Sequence, residues 1–135
     1  MRRFAVLFYI LSLAACSQVT QKSTQNKNDF SGEWYSEKLS GQLVIDNCTE
    51  KQCDIKMDSG QYGHECNVNE VLNMTGTKVA EIKKHYSNGI YEFNGQIIFV
   101  LQQDDVLDIH YGADNRDNIW CGMNATIEGL WKRKI

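Results

Sequence analysis

Cys53-Asp54-Ile55-Lys56-Met57-Asp58 (CDIKMD, residues 53–58) carries the clearest periodicity in the chain. Cys53, Ile55 and Met57 alternate with Asp54, Lys56 and Asp58, which is the period of a strand with one buried face. Outward from it the theme continues. Leu43-Val44-Ile45-Asp46 precedes it, and in Val106–Tyr111 the residues Leu107, Ile109 and Tyr111 share a face. Asn88-Gly89 and Asn94-Gly95 are hairpin signals, because both central residues of the tight turn need positive φ. Asp58-Ser59-Gly60, Thr75-Gly76 and Gln103-Asp104 are weaker breaks of the same kind. Ile97-Ile98-Phe99-Val100-Leu101 lacks alternation, so it reads as a strand covered on both faces or as a central strand of a closed barrel. No segment carries a helical stripe longer than about two turns, Val79 to His85 being the most ambiguous. Short strands with turns roughly every 8 to 12 residues predict an all-β domain, a small antiparallel β-barrel or sandwich of roughly eight strands.

Two stretches near the ends of this domain resemble each other. Ser31-Gly32-Glu33-Trp34 places Gly32 and Trp34 on one face of the first strand, and Glu128-Gly129-Leu130-Trp131 does the same for Gly129 and Trp131 on the last. A glycine two residues from a tryptophan leaves a slot without a Cβ beside a large ring, which suits a strand crossing close to another backbone. The first and last strands are therefore expected to pair and close the sheet. The opening Gly-x-Trp resembles that of lipocalin-type barrels, although the chain is short for one with a roomy cup; the favoured reading is that the tryptophans are core plugs.

Cysteine use points to an oxidising compartment. Besides Cys16 there are Cys48, Cys53, Cys66 and Cys121, an even number that is most simply two disulfides. Of the connectivities open to four cysteines, Cys48–Cys53 with Cys66–Cys121 is favoured. Cys48-Thr49-Glu50-Lys51-Gln52-Cys53 can place its ends opposite each other across a hairpin at bridging distance.

The amino terminus agrees with export. Arg2 and Arg3 precede an apolar run from Phe4 to Leu13, too short to span a bilayer, and small Ala14 and Ala15 follow. Leu13-Ala14-Ala15-Cys16 resembles a bacterial lipobox, which implies cleavage before Cys16 and acylation of its sulfur and new amino group. Ser17 stands where, by analogy with diderm lipoproteins, an aspartate would signal inner-membrane retention, so the outer membrane is the expected address. Residues 1–15 thus read as a signal peptide, 16–28 as a lipidated cysteine with a polar tether, and 29–135 as one β domain. Without Arg2 and Arg3 the mature chain has 12 basic residues against 17 acidic ones, a net charge near −5. Such a surface argues against nucleic acid and suits a basic partner.

Other chemistries fit the residues less well. His64-Glu65-Cys66 with Cys121 offers ligand types for zinc but lacks a Cys-x2-Cys pair. Asp114-Asn115-Arg116-Asp117-Asn118 could face calcium, yet it lacks the glycine and later glutamate of an EF-hand loop. No Gly-x-Ser-x-Gly elbow is present, every mature cysteine has a use, and Asp104-Asp105 reads as a turn rather than an acid–base pair. The sequence therefore predicts no enzyme, no metal and no cofactor.

Gly63-His64-Glu65-Cys66, followed by Cys121-Gly122, Ala125, Gly129, Trp131 and Arg133, resembles small exported bacterial domains with a Cys-Gly element, found alone or beside lysozyme-inhibitor-type modules. The resemblance covers about 70 residues, excludes Cys48 and Cys53, and implies fold and compartment rather than an activity. Cys66–Cys121 would gather Tyr62, His64, Asp114, Arg116, Asp117 and Trp120 into one neighbourhood, and Tyr, Trp and Arg are side chains enriched at the energetic centres of interfaces. The expected function is a lipid-anchored envelope binding module, with inhibition of a basic lysozyme as its candidate action. The alternatives are a structural or assembly lipoprotein and a small-ligand carrier with a lipocalin-like barrel; partner identity and oligomeric state stay open.

Overall fold

The computed structural model of the chain describes residues 29–61, 64–112, 119–122 and 124–135. Eight strands follow one another: β1 (Gly32–Ser36), β2 (Gly41–Asp46), β3 (Gln52–Gln61), β4 (His64–Met74), β5 (Val79–Ser87), β6 (Glu92–Leu101), β7 (Val106–Tyr111) and β8 (Gly129–Arg133). They form a closed antiparallel barrel in simple sequence order. Closure runs through Trp34↔Arg133 and Tyr35↔Lys132, as expected for the first and last strands. The alternating stretch 53–58 lies in β3 with Cys53, Ile55 and Met57 buried and the residues between them exposed. Ile97, Phe99 and Leu101 face the interior while Ile98 and Val100 are half-buried outside, so the uniform apolar run belongs to a barrel wall covered only in part on its outer side.

Up-and-down order gives the barrel two distinct ends. Asp29, the carboxy terminus, the Cys48–Cys53 disulfide and the β6–β7 turn share the near end. The β1–β2 turn, the β3–β4 and β5–β6 connections and the long β7–β8 connection share the far end. At the near end the guanidinium of Arg133 lies 4.2 Å from the centroid of the Trp34 ring. It donates to the carbonyls of Asp29, at 2.6 Å, and Ser31, and its Nε meets Asp105 Oδ1 at 2.7 Å. A Cβ on Gly32 would stand 2.8 Å from that guanidinium, so the glycine makes room for an arginine rather than for a crossing strand.

The interior is filled. Trp34, Trp131, Phe30 and Phe99 are fully buried among Leu and Ile side chains of the surrounding strands. The two tryptophans repeat one device: Trp34 Nε1 donates to Phe30 O at 3.0 Å and Trp131 Nε1 to Ile127 O at 3.2 Å, four residues back in each case. Gly32 (φ 142°) and Gly129 (φ 135°) supply the bend between ring and carbonyl. A buried indole N–H otherwise left without an acceptor would cost about 1–3 kcal/mol.

Two local expectations are corrected, and one ambiguous segment is resolved. Asn94-Gly95 is not a turn but lies within β6, because the Trp120 ring occupies the space where a Gly95 side chain would begin. Asp58-Ser59-Gly60 does not break the chain but continues β3, its ladder to β4 intact from Gln52↔Asn73 to Gln61↔His64. Val79 to His85 is strand, paired with β6 over its whole length. Asn88-Gly89 does turn the chain, with Gly89 at φ 83° and Asn88 Oδ1 accepting from the backbone N–H of Ile90 and Tyr91. Asp104 and Asp105 form the left-handed β6–β7 turn.

Candidate functional site

The far end is built around a row of small residues. Ser36 pairs with Gly41, Gly41 with Ser59, Ser59 with Cys66, and Cys66 with Cys121, so five small residues stand abreast across β1 to β4 and the segment beyond. Ser36 and Ser59 are the buried polar residues of the described core. Space above this row is shared. The Trp131 ring fills it on one side, 2.6 Å from where a Gly41 Cβ would be, and a cleft of about 270 Å³ opens on the other. Lys38 and Leu39 of the β1–β2 turn, His64 at the start of β4, and Asn124, Ala125 and Thr126 wall the cleft above Ser59 and Gly60. A second depression of about 420 Å³ shares Ser59 and Gly60 and is bordered by Gln42, Asp58 and Glu65 on the outside of the sheet.

The Cys66–Cys121 disulfide fixes the far wall. Both disulfides, Cys48–Cys53 and Cys66–Cys121, have the expected connectivity. Residues 119–122 lie along the first part of β4, held by Asn67 N–H to Trp120 O and Gly122 N–H to Glu65 O, each 2.8 Å. From this position Trp120 turns inward and caps the barrel over Gly95, leaving it 5% exposed. Its Nε1 is buried with no hydrogen-bond partner among the described residues. Tyr111 reaches the same place: its hydroxyl lies 3.4 Å from Cys121 Sγ and accepts from Ile127 N–H at 3.3 Å.

Of the side chains expected to form a partner surface, His64 is exposed at the cleft. Trp120 is corrected: it is a core plug, not an exposed anchor, because the disulfide beside it draws the segment against β4 and Gly95 leaves room for its ring. Tyr62, Asp114, Arg116 and Asp117 lie outside the described residues. Lys38, Ser59, Asn124 and Thr126 do not stand out in the sequence. One signal for them exists, since Ser59 continues the inward series Cys53, Ile55, Met57 with a hydroxyl where an apolar side chain is due.

Charge is unevenly satisfied. Glu33, Glu70, Glu81 and Asp105 meet Lys134, Lys84, Lys83 and Arg133 in ion pairs. The hydrogen bond from Lys83 holds the Glu81 carboxyl below its ordinary value of 4.5, against the opposing effect of burial. Asp58, Glu65 and Lys38 enter no ion pair among the described residues. Nearby, the β5–β6 hairpin overhangs the rim with Tyr86, Ile90 and Tyr91 exposed. Compared with known proteins, the chain matches no family model, no curated protein and no solved structure.

Proposed function

We propose that this chain is a lipid-anchored binding module of the cell envelope whose partner is a basic protein, a lysozyme-type cell-wall-degrading enzyme being the favoured case. The observation that carries the reading is the polarity of the barrel. The described domain begins and ends at the near end, where the tether to Cys16 departs, so an anchored domain holds its far end away from the lipid. That end bears the cleft, the overhanging hairpin and the carboxylates Asp58 and Glu65. A mature net charge near −5 speeds encounter with a cationic enzyme. Carriage of a small ligand inside the barrel finds less support, because Trp34, Phe99 and Trp131 occupy the interior.

The test is a turbidity assay of lysozymes on cell walls with the purified mature chain in stoichiometric excess, at low and high salt. Inhibition that weakens with salt, and that falls about tenfold in Asp58→Asn/Glu65→Gln, is expected from the loss of two rim charges. Absence of inhibition across all lysozyme classes would end the inhibitor reading. Inhibition unchanged both in that variant and in Asp114→Ala/Asp117→Ala would move the surface elsewhere.

A further inference from the structure

We infer that the cleft above Ser59 is a binding site for a single carboxylate carried on a small apolar or hydroxylated body, independent of whichever protein the far end engages. Its size sets the class of ligand. About 270 Å³ suits one six-membered ring or one amino-acid residue, and is small for a whole nucleotide. Its lining sets the chemistry. Leu39, Ala125 and the Cys66 side of the disulfide provide apolar walls, while Lys38, Asn124 and Thr126 provide donors around the opening. No carboxylate of the described residues lines this cleft; Asp58 and Glu65 border the adjoining depression on the other side of Gly60.

Lys38 supplies the charge. Its ammonium has no acidic partner among the described residues, as is true also of Lys51, Lys56, Lys78 and Lys132, and it is the one lysine that lines this cleft. Hydrogen bonds from a cation to a carboxylate are about twice as strong as neutral ones. A monoanion is favoured over a phosphate dianion because the whole mature domain is acidic and repels the second charge. Asn124 adds a polar group at the opening. Its backbone is left-handed at φ 62°, a conformation that glycine adopts without strain, yet the position carries an amide at the cleft. Two sources present this chemistry, the carboxy-terminal residue of a peptide and an acidic sugar of a glycan.

The experiment is an amide-shift titration by NMR of the full mature chain with four probes. N-acetylalanine and glucuronic acid represent the two sources, and N-acetylalanine methylamide and glucose are their neutral counterparts. At least one acid is expected to bind with a millimolar dissociation constant, shifting Gly60, His64 and residues 124–126, and about tenfold more tightly than its neutral counterpart. Whichever acid binds identifies the source. Lys38→Met, an exposed change that leaves the core untouched, should weaken that acid about tenfold, and Asn124→Gly should weaken it while preserving the fold. Equal binding of acid and neutral probe, shifts mapping away from the cleft, or no shift with any probe overturns the assignment.

Discussion

Gly95 and Gly89 follow an asparagine in the same way, and the molecule uses them for unrelated reasons. Gly89 supplies a positive φ at the tip of the β5–β6 hairpin and has open space around it. Gly95 sits mid-strand with Ile119 and the Trp120 ring against it, the ring 2.6 Å from where a Cβ would be. Sequence alone assigns both the same reading, because what distinguishes them is a side chain 25 residues further along, delivered by a disulfide. Gly95→Ala should therefore destabilise by about 1–3 kcal/mol through overpacking. Gly76→Ala, whose nearest neighbour would lie 4.0 Å away, should be neutral within about 0.5 kcal/mol or slightly stabilising. Chemical denaturation of both variants checks this, and equal effects would show that Trp120 does not press on Gly95. Arg133 offers the complementary lesson: its place near the end of the last strand is legible, but its reach to Trp34 and two amino-terminal carbonyls depends on the register in which β8 meets β1, which the sequence pattern does not specify.

Among the elements, the seam between β4 and β5 shares with the β1–β8 closure the shortest ladder in the wall. Only Asn73↔Glu81 and Met74↔Ala80 pair there, at the near end. Continuing that register sets Glu70 opposite Lys84, and a salt bridge joins them in place of further backbone rungs. This explains why Val79 to His85 is hard to read as a strand: Ala80 and Ile82 are buried, but Lys84 and Tyr86, next in the same phase, lie beyond the packed core and show no apolar alternation. The strand with the clearest alternation, β3, is the one paired along its length on the side of β4. On the far part of β4 the place of β5 is taken by residues 119–122, tied down by Cys66–Cys121. The two disulfides should then differ in weight. Their sequence separations of 55 and 5 residues give loop-entropy contributions of about 4 and 2 kcal/mol. Cys66→Ser/Cys121→Ser should accordingly cost about 2 kcal/mol more than Cys48→Ser/Cys53→Ser in urea denaturation, and it alone should alter Trp120 fluorescence. A larger loss from the short bridge would mean that the β2–β3 connection, not the Trp120 segment, limits stability.

For the whole molecule, what is legible in the sequence and what is not divide along the two ends of the barrel. Alternation, turn residues, the two Gly-x-Trp ends and four cysteines suffice for an all-β domain of roughly eight strands with its first and last strands paired and two bridges, while barrel and sandwich stay equally open until the pairing of all eight strands is seen. The cleft is not legible, since it arises where five strands or segments bring small residues abreast and none of them is unusual by itself. The proposed anchor joins these observations into a geometry. Thirteen residues from Cys16 to Asn28 span at most about 45 Å when extended, enough to lift the barrel off a bilayer with the near end as its point of attachment. Because the thioether can form only on a cysteine sulfur at the cleavage site, Cys16→Ala should abolish acylation without touching the barrel, which begins well downstream. Growth with labelled palmitate should mark the wild-type protein and not the variant, and the wild type alone should fractionate with membranes; more than one acyl chain is needed for that retention, each methylene contributing about 0.8 kcal/mol. Label on the variant, or a wild type that stays soluble and unlabelled, removes the anchor, and with it the reason for regarding the far end as the face presented away from the membrane.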